Sequence, residues 1–476
     1  MSNAAISYSD MPTPASSLES APLESKTSNA ALESAVLKFG RQIFSTIDRK
    51  PSIDRKYLVN RIMEWSMRQP DFKANMFRLV DVLPVLRSQG SVAEHVREYL
   101  APPAKKMNGF MGWGLRATSG AVTSRVAALF VRSSVREMAS MFIAGEDPKA
   151  ALKNLRRLRK NNLAFTVDLL GEFSVSEREA DVYVQRYSEI LDILGAALPE
   201  WPESQPIVTG HPGERSPVCI SVKLTALYSQ CGPLNFDRSV EVLSFKLSQI
   251  VRKAQQINAL LYVDAEDSAN NPIIYAAFKQ VFGSAEFRNF PHPGIVLQAY
   301  SRESPKILED LLAFAKQRGT PIAVRLVKGA YWDHETVISG QTNLASPLFS
   351  KKESSDANYE ALSKVLIDNH EVCLPAFGSH NVRSLSHACC YAKQRGVSNK
   401  SFELQMLYGM AEPIAKAFQE SGYLVRLYVP IGNMIVGMGY LVRRLLENTS
   451  NESFLKHTFF DAQEVDHLLK APVMRE

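Results

Sequence analysis

No stretch of this 476-residue chain strings together the ~20 apolar residues that a membrane-spanning helix needs. Cysteine is scarce. Cys219, Cys231, Cys373, Cys389 and Cys390 make an odd five, with no CxxC and no histidine at zinc-ligand spacing. That pattern excludes a disulfide framework and a zinc module, and free thiols in a reducing cytoplasm are expected. The nine histidines are scattered without HExxH or HxH, and the adjacent Asp333 and His334 point apart on any regular element, so no metal is expected. Neither GxxxxGK[ST] nor a GxGxxG after a strand occurs, and GFMGWG from Gly109 follows no strand. A nucleotide cofactor would therefore have to be held without a Rossmann turn. Residues 1–30 contain acids but no arginine and lack a charged-then-apolar layout, which argues against a signal peptide or presequence; their Ser/Ala/Pro content reads as a disordered tail. No repeat of solenoid length is found.

What is present is a chain of ordinary hydrophobic content, 45%, enough to bury a sizeable core. Its charge is unevenly spread: Lys105 to Lys160 holds twelve Lys/Arg against three Asp/Glu, an excess of nine where the whole chain carries +6. Such a patch is either a solvated helix face or a surface for anionic lipid or nucleic acid. Residues 31–160 have the three- and four-residue apolar spacing of helices, in VLKFGRQIFSTI, KYLVNRIMEWSM and NMFRLVDVLPVLRS, with AVTSRVAALFVRSSVREMASMFI as a long amphipathic helix. Asp147-Pro148 opens another helix as N-cap and first-turn residue.

From about Asn162 the pattern changes to short apolar runs alternating with helical segments. The runs are LAFTVDLL, VCISVKLTAL, LLYVDAED, GIVLQAY, PIAVRLVKGAY, VCLPAFGSHN, SFELQMLYG and LVRLYVP. Eight β–α units over about 280 residues match a (β/α)8 barrel, with an open doubly wound sheet as the alternative. Each run ends in polar or reactive groups: Asp168; Lys223; Asp264 and Glu266; Gln298; Arg325, Lys328 and Tyr331; His380 and Asn381; Gln405; Tyr428. In a barrel those ends converge on one mouth, where active sites form. The expected organisation is a tail (1–30), a helical region (31–160), the barrel (161–460) and a C-terminal tail (461–476).

Two segments carry most of the chemistry. In GYLVRRLLEN, a helix beginning after an Asn433 N-cap places Met434, Met438, Leu441 and Leu445 on one stripe and Tyr440, Arg443, Arg444 and Glu447 on the other. Taken alone, that polar stripe reads as the solvated face of an amphipathic surface helix. After an eighth strand, its first turns lie near the mouth, where paired guanidiniums bind a carboxylate. In VRLVKGAYWD, side chains alternate between two faces, Gly329 permits close approach to a flat ligand, and Tyr331 and Trp332 add aromatic surface beside cations.

ISVKLTAL, YVDAED, RLVKGAYWD, FGSHN, FELQMLYGM and YLVRRLLEN, with FRLVDVLPVL in the helical region, resemble the proline dehydrogenases, and in particular the proline dehydrogenase half of the bifunctional proline utilisation flavoenzymes. The resemblance spans about residues 35–460. It implies a distorted (β/α)8 barrel holding noncovalent FAD, which oxidises L-proline to Δ1-pyrroline-5-carboxylate by hydride transfer to flavin N5 and passes electrons to a membrane quinone. Carried over residue by residue, it implies that Arg443 and Arg444 hold the proline carboxylate and that Lys223, Tyr331 and Tyr428 complete the pocket. Leu407 would pack on the ring, Asp264 would orient Tyr428, and Glu172 would pair with Arg443 as a gate. Arg325 would lie near N5, with Gln298, Val327, Lys328, Trp332, Ser350, His380, Asn381 and Glu447 contacting FAD. Ser350 stands where relatives often have threonine, and Phe377-Gly378-Ser379-His380-Asn381 varies a motif that usually has Ala-Thr before its histidine. The chain ends at Glu476 without an aldehyde dehydrogenase region and shows no ribbon-helix-helix segment at its start, so a short enzyme and a piece of a longer one are both open. Its expected location is cytoplasmic, with peripheral contact at the inner membrane face through residues 105–160 and no nucleic-acid partner. The competing readings are a Schiff-base aldolase using Lys223 or Lys328 and a salt-sensitive binding module built on the basic segment.

Overall fold

The computed structural model describes residues 26–47, scattered positions between 75 and 99, and residues 141–171, 174–201, 216–410, 412–433 and 462–475. Every one of the eight apolar runs forms a strand: β1 (Ala164–Leu169), β2 (Cys219–Val222), β3 (Leu260–Val263), β4 (Pro293–Gln298), β5 (Ile322–Val327), β6 (Cys373–Gly378), β7 (Glu403–Leu407) and β8 (Val425–Ile431). They pair in sequence order into a closed barrel. The seam is parallel, running from Ala164 beside Arg426 to Leu169 beside Ile431. Closure excludes the open doubly wound sheet, which has two free edges.

The strands are buried on both faces, the outer one apolar and the inner one mixed. Val167, Ile220, Val222, Leu261, Val263, Leu297, Val324, Leu326, Phe377, Leu404 and Val429 face outward into the main core. Their alternating neighbours Cys219, Leu260, Tyr262, Ala323 and Ala376 form a separate, smaller cluster inside the ring. The outer layer consists of α2 (Pro148–Lys160), α3 (Glu177–Ala197), α4 (Phe236–Gln256), α5 (Asn271–Gly283), α6 (Ser304–Arg318), α7 (Trp332–Thr342), α8 (Lys352–Asp368), α9 (Val382–Gln394) and α10 (Glu412–Glu420), preceded in the chain by α1 (Lys26–Thr46). Local signals set several starts. Asp147 accepts from Ala150 N with Pro148 in the first turn of α2, and Ser176 accepts from Glu179 N while the Glu179 carboxylate accepts from Val175 N.

Two boundaries differ from the sequence reading. α1 begins at Lys26, inside the stretch expected to be disordered, and residues 461–476, expected as a tail, contain α11 (Ala462–Leu468). The reason is long-range packing. Leu32, Val36, Ile43 and Phe44 form a buried stripe on α1. On that stripe a side chain at Gly40 would stand 2.4 Å from Leu469, so glycine lets the segment after α11 seat directly on α1. Arg383 of α9 clasps Glu33 of α1 (2.5 and 2.8 Å) and Glu360 of α8 (both 2.8 Å). Among the described residues no helix is long and apolar enough to cross a membrane.

Candidate active site

The barrel interior is polar from its floor upward. At the floor, Arg426 on β8 donates to Glu403 on β7 (2.9, 3.0 and 2.9 Å) and to the Phe165 carbonyl on β1 (2.9 Å), and Gln405 Nε2 donates to the same carboxylate. Both ionic partners are 1% exposed, which makes this a closed end rather than a channel. One layer higher, Arg325 on β5 donates through Nη1 to Asp264 Oδ1 (2.9 Å) and through both Nη atoms to Ser221 Oγ on β2 (3.1 Å each). Its guanidinium carbon lies 4.0 Å from the Tyr262 ring centroid.

The mouth is built from residues at or just past strand ends. Lys223 follows β2, and Nζ donates to Asp168 of β1, to Tyr428 Oη of β8 (3.0 Å) and to Asp264 Oδ2 (3.4 Å). Tyr428 Oη in turn donates to Asp264 Oδ2 at 2.7 Å. Two carboxylates and two cations thus balance in a nearly dry space. Burial acts to lower the Lys223 pKa, but Asp168, Tyr428 and Asp264 outweigh it and hold the ammonium well above its ordinary range. Burial raises the Tyr428 phenol far above its usual value, with Asp168 and Asp264 adding to the shift, so it stays neutral. A lysine that forms a Schiff base must be neutral at working pH, so Lys223 does not suit the aldolase reading. The Lys328 pKa is lowered by burial, but its Nζ is engaged by Asp356 at 2.5 Å.

Glu266, two residues beyond Asp264, is pushed up to about 7 by burial, with the Thr225 hydroxyl and amide (3.2 Å) as its donors. Its backbone fixes a neighbour. Gln298 Nε2 donates to Glu266 O (3.0 Å), and Asn271 Nδ2 donates to Gln298 Oε1 (2.8 Å), so the Gln298 amide has one orientation. Tyr331 is half-buried beside this cluster, its phenol raised by burial.

Two glycines, just past β5 and at the end of β6, allow close packing inside the protein. Gly329 has φ +131°, and a side chain there would meet the Tyr300 ring at 2.5 Å; one at Gly378 would meet Val327 at 2.9 Å. At the strand ends lie half-buried Val327, Lys328 and Leu407, with exposed Ser350 in the loop before α8. Trp332, 38% exposed, donates Nε1 to Phe349 O at 2.9 Å. His380 Nε2 accepts from Leu407 N (2.9 Å), and Asn381 caps α9 through Ser384 N (3.2 Å). Among the described residues the buried Arg325 Nε has no hydrogen-bond partner. A buried donor left unmet by them fits a bound group that brings its own hydrogen-bond acceptor.

The structure therefore brings together Lys223, Asp264, Arg325 and Tyr428, and sets Gln298, Val327, Lys328, Tyr331, Trp332, His380, Asn381 and Leu407 at or just past strand ends, with Ser350 in the loop between α7 and α8. Glu172, Arg443, Arg444 and Glu447 lie outside the described residues, as does most of the basic segment. Within its described part, Arg156 pairs with Glu200 and Arg157 donates to Tyr408 Oη at 3.3 Å. Sequence reasoning gave no role to Asp168, which it had placed at a strand end, and missed Ser221, Tyr262, Glu403, Arg426 and Asp356. Ser221 and Tyr262 were detectable, since each stands two residues before a residue at the mouth and so faces the same interior.

Comparison with known proteins completes the description. The family described as Proline dehydrogenase matches residues 151–457, and that described as Proline utilization A N-terminal domain matches residues 33–142. The chain is similar to the Bifunctional protein PutA of Escherichia coli (strain K12), at 30% identity over 352 residues, 72% of this chain and 26% of that one. It is also similar to Proline dehydrogenase 2 of Bacillus subtilis (strain 168), at 28% identity over 321 residues, 67% of this chain and 89% of that one. A crystal structure of proline utilization A from Bdellovibrio bacteriovorus, inactivated by N-propargylglycine, superposes with a TM-score of 0.83 at 40% identity, covering 93% of this chain and 44% of that one. The chain thus spans about a quarter of the length of the PutA proteins it matches in sequence.

Proposed function

Because the chain belongs to the proline dehydrogenase family, we propose that its barrel mouth oxidises L-proline to Δ1-pyrroline-5-carboxylate, with noncovalent FAD as hydride acceptor and a quinone as the final electron sink. FAD, when bound, supplies a two-electron acceptor whose N5 takes hydride from the ring carbon beside the proline nitrogen. The observation that carries the reading is the cluster of Lys223, Asp168, Asp264, Tyr428 and Arg325 at the mouth, with the Arg325 Nε donor unmet among the described residues.

The chain's own residues supply binding, orientation and charge. Proline is a zwitterion, and a site in which Asp168 and Asp264 balance Lys223 and Arg325 accepts a net-neutral ligand without an unpaired buried charge. The family resemblance assigns the carboxylate to Arg443 and Arg444 and makes Glu172 the partner of Arg443. Leu407 supplies an apolar wall for the ring, with Tyr331 and Tyr428 closing the sides. Tyr428 is fixed by donating to Asp264 while accepting from Lys223, so Asp264 acts on substrate through the phenol. Gln298, Val327, Lys328, Trp332, Ser350, His380, Asn381 and Glu447 would hold FAD, and Arg325 would offset negative charge on the reduced flavin. A quinone acceptor is membrane-borne, which suits peripheral contact with anionic lipid through residues 105–160.

The test is an absorbance spectrum of purified protein followed by anaerobic L-proline. Flavin bands that bleach on proline support the proposal; no flavin after reconstitution, or bands indifferent to proline, overturn it. Arg444→Met should raise the proline KM at least tenfold while leaving FAD affinity within about twofold, the pattern of a lost bidentate carboxylate contact.

A further inference from the structure

Arg325 is held from several sides. A guanidinium carries five N–H donors in one rigid plane. Nη1 is engaged by Asp264 Oδ1 at 2.9 Å and by Ser221 Oγ at 3.1 Å, and Nη2 reaches the same hydroxyl at 3.1 Å. The Tyr262 ring lies 4.0 Å from the guanidinium carbon, and the Tyr428 ring 5.4 Å from it. With the Nη end tied to two oxygens and a face set on a ring, the direction of Nε–H is determined, and that donor is buried without a partner among the described residues. The Tyr262 ring is itself seated by a neighbour's lack of a side chain: a Cβ on Gly294 would stand 2.4 Å from Tyr262 Cδ1.

We propose that Ser221 and Tyr262 are positioning residues that fix the plane of Arg325 against the bound flavin and so set the flavin's reduction potential. The inference rests on the FAD reading above. A cation held still beside the flavin favours its reduced, negatively charged form over its oxidised form, and that preference weakens as the guanidinium turns away or becomes mobile. Asp264 alone does not define the plane, because one hydrogen bond leaves rotation about its axis free. The hydroxyl of Ser221, shared by both Nη atoms, and the face of Tyr262 remove that freedom. A residue that merely filled the barrel interior, as Leu260 and Ala323 do, would change stability without changing the potential.

The experiment is a dye-equilibrated reduction of the FAD-loaded protein, which needs no turnover. Ser221→Ala and Tyr262→Leu should each cut the preference for reduced over oxidised flavin about tenfold, a fall of about 30 mV for a two-electron couple. Tyr262→Phe, which keeps the ring face, should hold the wild-type potential, and Gly294→Ala, which displaces that ring, should lower it. Ser221→Ala and Tyr262→Leu proteins that fold, load FAD and keep the wild-type potential would overturn the inference. If Tyr262→Leu does not load FAD, an unchanged potential in Ser221→Ala overturns it alone. Wild-type protein that takes up no flavin fails the function reading instead, so the two failures are distinguishable.

Discussion

Three acidic or phenolic oxygens converge on the single ammonium of Lys223, and the arrangement has a definite cost if broken. Lys223→Met strands Asp168, 1% exposed, without its cation. Loss of one member of a buried pair costs about 3–5 kcal/mol. Urea unfolding should register that loss, and proline turnover should fall with it. Glu266 gives a pH signature of the opposite kind. Its folded pKa of about 7 lies above its ordinary 4.5, so the native state keeps a proton that the unfolded chain releases. The stabilising contribution is full below 4.5 and lost as pH rises through about 7. Glu266→Gln should flatten the stability profile between pH 4.5 and 7 and leave the protein more stable at pH 8, as unfolding midpoints at pH 5 and 8 will check. At this scale the mouth residues were legible in the sequence because each closes an apolar run. The layer beneath was not, because Ser221 and Tyr262 acquire meaning only when Arg325, far along the chain, is brought over them by barrel closure.

Among the elements, the eight strands could be read from apolar runs, but their ends could not. VCISVKLTAL looks like one strand, yet pairing stops at Val222 and Leu224–Leu227 turn as a 3-10 segment. All four of those residues are buried, so hydrophobicity alone carries no mark of the change. The same shortening places Lys223 and Asp264 just outside their strands, with side chains free to lean over the mouth. Gly329 shows how tightly the turn after β5 is packed on Tyr300. Its φ of +131° is hostile to any side chain, and an added Cβ would lie 2.5 Å from Tyr300. Gly329→Ala should therefore reduce FAD affinity at least tenfold, measured by flavin fluorescence on titration, with far-UV circular dichroism unchanged. At the start of α9, Asn381→Ala removes the cap on Ser384 N and should cost about 1 kcal/mol of stability.

Across the whole molecule, α1 is bound into the barrel's outer layer rather than appended to it. Arg383 joins Glu33 of α1 to Glu360 of α8, and burial holds nearby His387 neutral, with its pKa down at about 3. A depressed histidine contributes stability above its unfolded value of 6.5, and that contribution is lost as pH falls from there toward 3. Arg383→Met should lower stability by about 3–5 kcal/mol and open α1 to limited proteolysis before the barrel strands are cut. None of this was legible in the sequence, since the contact between Gly40 and Leu469 depends on where two distant segments meet.

The seam between β1 and β8 joins parts of the chain that emerge far apart in time. Roughly 260 residues separate Leu169 from Val425. At bacterial or eukaryotic synthesis rates, the ribosome takes on the order of 13–50 seconds to cover that interval. Throughout it, the nascent first strand has an open hydrogen-bonding edge, so protection of that edge by a chaperone, or its capture by a neighbouring nascent chain, is decided before the last strand exists.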